Sequence, residues 1–291
     1  MEEWNSMNIS AIFHTGVVFL ALSAASMGLF FSILFFRVLA LTYFLVVFFL
    51  TYAVYGMDRL ASLDEDRLSH PERTSFLQRN RCPFAVSIVL AFSGSLLLAA
   101  ASGWVAVLIP IAPMAVMFYS GKLPQRVFGT RRPHLKEHFI IKDICIASGW
   151  AFLLLVTSVY LGRPMGIGAW LFLIPLLMKL FVMAVAYDFK DINSDRKSGV
   201  RTLPVVIGED SSKIVLHILN TVATLFILLL IYFGLLPVLG VIFVPAFIYQ
   251  FFIIHLVRKD APGWVFFIIC DLEQFFWLVF LGIGGWLIGY L

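Results

Sequence analysis

"LFLIPLLMKLFVMAVAYDFKDINSDRKSG", residues Leu171–Gly199, joins a long apolar run to three aspartates, Asp188, Asp191 and Asp195, spaced i, i+3 and i+7. The apolar part has the length of a membrane crossing, which takes about 20 residues at a rise of about 1.5 Å each. At about 100° per residue the aspartates fall near 0°, 300° and 340°, so three carboxylates share a face about 60° wide. Like charges placed so close repel one another unless something cationic neutralises them. A solvated helix end does not require such clustering.

The rest of the chain repeats the apolar half of this pattern. Of 291 residues, 61% are hydrophobic and only 13% charged, with a mean hydropathy of +0.97. Soluble domains carry about 25% charged residues, so this is an integral membrane protein. The runs are continuously apolar rather than alternating, which argues against a β-barrel and predicts an all-α bundle. Reading runs against polar breaks predicts about nine helices, near 9–33, 37–60, 83–103, 104–120, 141–162, 166–190, 212–233, 236–256 and 264–290. The simplest organisation is one transmembrane domain over residues 1–291, since no low-complexity linker or long polar segment divides it. The N-terminus "MEEWNSMNIS" has two acids and no Lys or Arg, so the first run is expected to be retained rather than cleaved as a signal.

Charge sets the expected orientation. Of the 21 Lys and Arg residues, 18 fall in regions 58–82, 120–142, 188–213 and 257–261, all on one side of a nine-helix arrangement. By the positive-inside rule these loops and the N-terminus are cytoplasmic and the C-terminus is opposite, as in a multi-pass protein of the cell membrane. The same distribution argues against nucleic acid as a partner. Cys82, Cys145 and Cys270 stand apart with no pairing motif, and His70, His134 and His138 read as solvated loop residues.

A second acidic helix end is expected on the same side. "YGMDRLASLDEDRLSHPER" places Asp58, Ser62 and Asp66 four residues apart, near 0°, 40° and 80°. Mg²⁺ favours carboxylate oxygens and fills its shell with water and substrate phosphate. The neighbouring Arg59, Arg73, Lys190, Arg196, Lys197 and Arg201 would take phosphate oxygens left free by the metal. The pattern therefore suits a Mg²⁺-bound diphosphate better than a bare cation. An ion pathway would place its acids near the bilayer midplane, whereas most acids here lie at one face.

These residues resemble a known family. The first stretch, with "DRKSGVRTLPVVIG" following, looks like the D-x-x-D-x-x-x-D motif of the UbiA superfamily of intramembrane prenyltransferases. The second resembles that family's N-x-x-x-D-x-x-x-D motif, and the resemblance covers nearly the whole chain. It implies a bundle of about nine helices with a cytoplasmic-side lid over a central cavity. It further implies that Asp188, Asp191, Asp195, Asp58 and Asp66 hold Mg²⁺ bridged to an isoprenyl diphosphate. Lys142, in "IIKDICIASGW", resembles the family's diphosphate-contacting lysine, with Arg126, Lys122, Arg73, Lys197 and Arg201 as further contacts. The prenyl tail is expected along an aromatic-lined groove, and the acceptor is a hydrophobic molecule, lipid or aromatic. Asp58 stands where the family usually has Asn, and Ser62 where it usually has Asp. Membrane terpene cyclases of the superfamily also have a small residue there, so intramolecular capture of the allylic cation is the alternative. Gly199 and Gly208 are the expected hinges of the lid.

Three ionisable residues interrupt apolar runs, at a cost of about 2.5–3.5 kcal/mol each on insertion scales. Lys179 is expected to pair with Asp271 as a buried structural bridge. The alternative makes Asp271 or Glu273 the base that removes the final proton.

Overall fold

The computed structural model describes residues 16–63, 71–120 and 140–287, and among them every regular element is helical. Seven helices are long and apolar enough to cross a membrane, with shorter apolar helices at Val105–Met114 and Glu273–Leu287. The protein is thus an all-α, multi-pass membrane protein. The fourth and ninth expected runs fall short for local reasons. The fourth opens on a 3₁₀ turn, Val105–Val107, which leaves Leu108–Ser120 as its α-helix among the described residues, and the ninth is interrupted at Asp271–Leu272.

The chain separates into two compact units, 1–25 with 41–132, and 26–40 with 133–291. Helix α1 (Val17–Phe36) contributes its first turns to the first unit and its remainder to the second.

In the first unit α2 (Leu41–Ala61), the short α3 (Pro71–Arg79), α4 (Arg81–Ser102) and α5 (Leu108–Ser120) follow one another. The polar region between the second and third runs therefore contains a helix of its own, which docks through buried Thr74 and Leu77. Small and hydroxylated residues bring α2 and α4 together, as is usual where lipid offers no hydrophobic drive for association. A Cβ on Gly56 would meet Ile88 Cγ1 at 2.8 Å. Ser95 Oγ donates to the Val46 carbonyl at 2.9 Å, and the Tyr52 and Ser87 hydroxyls lie 2.9 Å apart.

In the second unit α6 (Ile141–Leu161), α7 (Ile167–Ser198), α8 (Leu203–Ile207), α9 (Glu209–Tyr232), α10 (Phe243–Leu256) and α11 (Glu273–Leu287) surround a continuous apolar core. Helix α7 supplies Val182, Val185, Ala186, Phe189 and Ile192 to that core, against Leu216 of α9 and Ile253 and Ile254 of α10. It runs eight residues past the expected end at 190. Hydropathy marks where oil stops, not where backbone hydrogen bonding stops. Gly199, at φ 78, ends it in the left-handed conformation, and the Gly199 and Val200 amides both return to the Asp195 carbonyl. The segment after it is docked, with Thr202, Leu203 and Pro204 buried.

Candidate functional site

Because α7 continues without a break through Ser198, Asp188, Asp191 and Asp195 do occupy successive turns of one helix. Asp188 is 3% exposed, while Asp191 and Asp195 are half-buried. The neighbouring α6 brings its N-terminal end to the same place. Its entry residue, Ile140, sits at φ 65, a strained value for a β-branched side chain. Two residues later Lys142 donates a hydrogen bond to Asp188 Oδ1. The other oxygen, Asp188 Oδ2, is buried with no hydrogen-bond partner.

Asp143 joins them. It is 1% exposed, and its Oδ1 lies 3.7 Å from Lys142 Nζ, in charge contact but beyond hydrogen-bond length. That oxygen is also buried with no hydrogen-bond partner. Asp195 is within electrostatic reach of Lys142. One ammonium therefore serves two buried carboxylates, and the pair of orphaned oxygens invites a cation. Asp143 was not expected from the sequence. A single acid in the first turn of a helix reads as complementing the helix dipole, and its burial is visible only in three dimensions.

The remaining expected residues are distributed as follows. Asp58 is exposed in the last turn of α2, in the first unit. Ser62 Oγ donates to the Asp58 carbonyl at 2.8 Å. Lys197 and Arg201 are exposed, and Lys190 Nζ lies 5.2 Å from the centre of the Tyr187 ring. Asp66, Lys122 and Arg126 lie outside the described residues, as does the side chain of Arg73. Among the described residues no three His, Cys, Asp or Glu side chains converge on a point that could hold a metal unaided. A Mg²⁺ ion that takes part of its shell from phosphate and water is compatible with that spacing.

The expected Lys179–Asp271 bridge is corrected. Lys179, 0% exposed, donates to Asn220 Oδ1 at 2.8 Å and to Gln250 Oε1 at 3.4 Å. Its acid partner is Glu273, reached through Gln250, whose Nε2 lies 3.5 Å from Glu273 Oε2 and 3.0 Å from the Lys179 carbonyl. Trp277 Nε1 donates to Glu273 Oε1 at 3.2 Å. Asp271 instead accepts from the Tyr187 hydroxyl. Asp271 and Glu273 are two residues apart, so they project to different sides of their segment. Only the side facing α7, α9 and α10 meets Lys179. Glu273 is fully buried with both oxygens engaged, which supports a structural role over that of a base.

The start of the ninth run is π-helical over Val265–Cys270, and two tyrosines cap it. The Tyr187 hydroxyl, whose proton goes to Asp271, lies 2.9 Å from the Phe266 carbonyl, and Tyr249 donates to the Ile269 carbonyl at 2.8 Å. Irregular backbone in an apolar segment is tolerated where protein satisfies it in this way. Deeper in the second unit, Phe30, Phe31, Phe172, Phe243 and Trp277 pack edge to face, with Phe243 and Trp277 ring centres 5.2 Å apart. These aromatics fill one another's spaces as core.

Fold and site together define a multi-pass helical membrane protein with an acid-and-lysine cluster at one end of two adjacent helices. The chain belongs to the UbiA prenyltransferase family, whose model matches residues 13–280. Solved structures agree on the fold. A UbiA homologue from Archaeoglobus fulgidus, described as bound to GPP and Mg²⁺, superposes with a TM-score of 0.63 at 15% identity, covering 92% of this chain and 96% of that one. An apo UbiA homologue from Aeropyrum pernix K1 gives 0.62 at 16% identity, covering 96% and 98%. A digeranylgeranylglyceryl phosphate synthase gives 0.54 at 15% identity, covering 95% and 99%. No curated protein matches the sequence.

Proposed function

We propose that this chain is a Mg²⁺-dependent intramembrane prenyltransferase that ionises an isoprenyl diphosphate and transfers the prenyl group to a lipid or aromatic acceptor. The observation that carries the reading is the Lys142–Asp188 pair, with Asp188 Oδ2 left buried and unpartnered beside Asp191 and Asp195 on the same helix. A divalent cation fits that donor set: hard carboxylate oxygens, one of them orphaned, in a family whose Archaeoglobus fulgidus member is described with DMAPP and Mg²⁺. When bound, Mg²⁺ supplies positive charge against the departing diphosphate.

In this reading Asp188, Asp191 and Asp195 hold the metal and orient it. Lys142, a quarter exposed, presents its remaining ammonium hydrogens to a phosphate oxygen. Both act where negative charge develops as the carbon–oxygen bond breaks. The membrane-buried surroundings keep water from the allylic cation, which would otherwise end as an alcohol. The reading also gives Asp58 and Asp66 a share in metal binding and Arg73, Arg126, Lys197 and Arg201 a share in diphosphate binding, on the resemblance alone. The asymmetry of Lys and Arg supports a cytoplasmic N-terminus and cytoplasmic polar loops.

Ser62 favours a second reading, a membrane terpene cyclase that captures the same cation intramolecularly. Its hydroxyl is turned back onto the Asp58 carbonyl and supplies no carboxylate. Incubating the purified protein with Mg²⁺ and geranyl, farnesyl or geranylgeranyl diphosphate alone separates the two. The transferase reading expects slow or no turnover until an acceptor is added. A cyclic hydrocarbon formed without acceptor would overturn it in favour of the cyclase.

A further inference from the structure

Resting on the diphosphate reading above, we propose that Asp143 is a positioning residue for Lys142, a second anchor that lets Asp188 be shared between the lysine and a divalent cation. Lys142 has three donor hydrogens and spends one on Asp188 Oδ1. Asp188 is thereby claimed by an ammonium at one oxygen while its other oxygen stands buried and unpartnered. A lysine held by Asp188 alone competes with any cation for that carboxylate. Asp143 removes the conflict. Its carboxylate follows Lys142 on the same helix, is 1% exposed, and holds Oδ1 3.7 Å from the ammonium.

That separation makes the interaction one of charge rather than of hydrogen bonding. Asp143 Oδ1 has no hydrogen-bond partner, and this carboxylate also stands against that of Asp188, so the two buried acids together are offset by Lys142 and by whatever further cation the cluster binds. Drawn toward Asp143, the ammonium keeps its place near Asp188 without monopolising it, and its two remaining hydrogens stay free for an anionic ligand.

Asp143→Asn tests this, because the amide has the shape of the carboxylate and that oxygen forfeits no hydrogen bond. Mn²⁺ binding is measured by the loss of the free-ion resonance on titration. The protein is held with geranyl, farnesyl or geranylgeranyl thiolodiphosphate, whichever binds the wild type most tightly. Asp143→Asn is expected to weaken Mn²⁺ binding about tenfold with an unchanged thermal midpoint. Asp143→Glu, which keeps the charge, recovers most of that loss. On a Lys142→Met background, Asp143→Asn changes Mn²⁺ binding by less than about twofold, because the residue it serves is gone. Asp143→Asn binding Mn²⁺ as the wild type does, or the same tenfold loss persisting without Lys142, overturns the proposal. Wild type that binds no Mn²⁺ with any of the three thiolodiphosphates overturns the diphosphate reading itself.

Discussion

Lys142 gives one hydrogen to Asp188 and leaves that aspartate's second oxygen buried with no hydrogen-bond partner. The two residues come from different helices, α6 and α7, so the contact sets the first turn of one helix against the Asp188 turn of the other. Lys142→Met takes away the neutralising charge and, on the proposed reading, the donor to the leaving diphosphate. Losing one such donor at a site of developing charge typically slows turnover about 100- to 1,000-fold. Initial rates of diphosphate release with Mg²⁺, with acceptor added where the wild type requires one, check this, and a variant within a few-fold of wild type would contradict a role for Lys142 at the diphosphate.

The Lys179–Gln250–Glu273 network yields a prediction about stability. Lys179→Met leaves Glu273 buried with its charge uncompensated, which costs about 3–5 kcal/mol. Lys179→Met with Glu273→Gln removes both charges and is expected to regain most of that loss. Lys179→Met with Asp271→Asn is expected to regain none of it, since Asp271 bonds to Tyr187. Thermal midpoints in one detergent decide between the two acids. Recovery with Asp271→Asn would restore the pairing that the sequence led one to expect.

The contrast between these acids shows how far the sequence could be read. Continuous apolar runs and the positions of Lys and Arg leave few architectures open, because backbone polarity in lipid permits little else. The i, i+3, i+7 aspartates needed only helical periodicity, and they lie on one helix as that spacing requires. Three other features needed contacts or caps that periodicity does not supply. Choosing Glu273 over Asp271 depends on the rotation of a segment that starts π-helical and breaks at Asp271–Leu272. Asp143 became visible only when α7 was seen to bury it beside Lys142. The continuation of α7 past 190 depended on the cap at Gly199, which hydropathy does not register.

A backbone prediction concerns Gly168, at the second position of α7. A Cβ there would stand 1.8 Å from the Leu235 carbonyl oxygen and 2.9 Å from its carbon. The obstacle is backbone in the turn after α9, so no rotamer change can clear it, and Gly168→Ala forces the two segments apart. A loss of about 2 kcal/mol or more is expected, at the upper end of overpacking penalties. Gly282→Ala in α11 is the control, with nothing within 4 Å of its added methyl. It should raise stability by about 0.5–1 kcal/mol through the better helix propensity of alanine. Equal midpoints for the two variants would contradict the close approach at Gly168.

Ser62 supplies the last prediction, because it marks the departure from the family pattern that bears most directly on metal binding. Its hydroxyl donates to the Asp58 carbonyl one turn back in the chain, at 2.8 Å, and Asp58 is exposed. Ser62→Asp removes that bond and sets a second carboxylate four residues after the first. The repulsion costs about 0.2–0.5 kcal/mol in the absence of divalent cations. If this face of the chain meets Mg²⁺, the added carboxylate gives the ion a further hard oxygen, and the penalty becomes a gain. The expected result is therefore a crossing. In EDTA, Ser62→Asp melts slightly below wild type, and with Mg²⁺ and a prenyl thiolodiphosphate it melts above it, with half-saturating Mg²⁺ lowered several-fold. Ser62→Ala loses the back-bond without adding charge and should leave the Mg²⁺ dependence where it was. A Ser62→Asp variant that melts below wild type by the same margin at every Mg²⁺ concentration would remove this position from the metal-binding face.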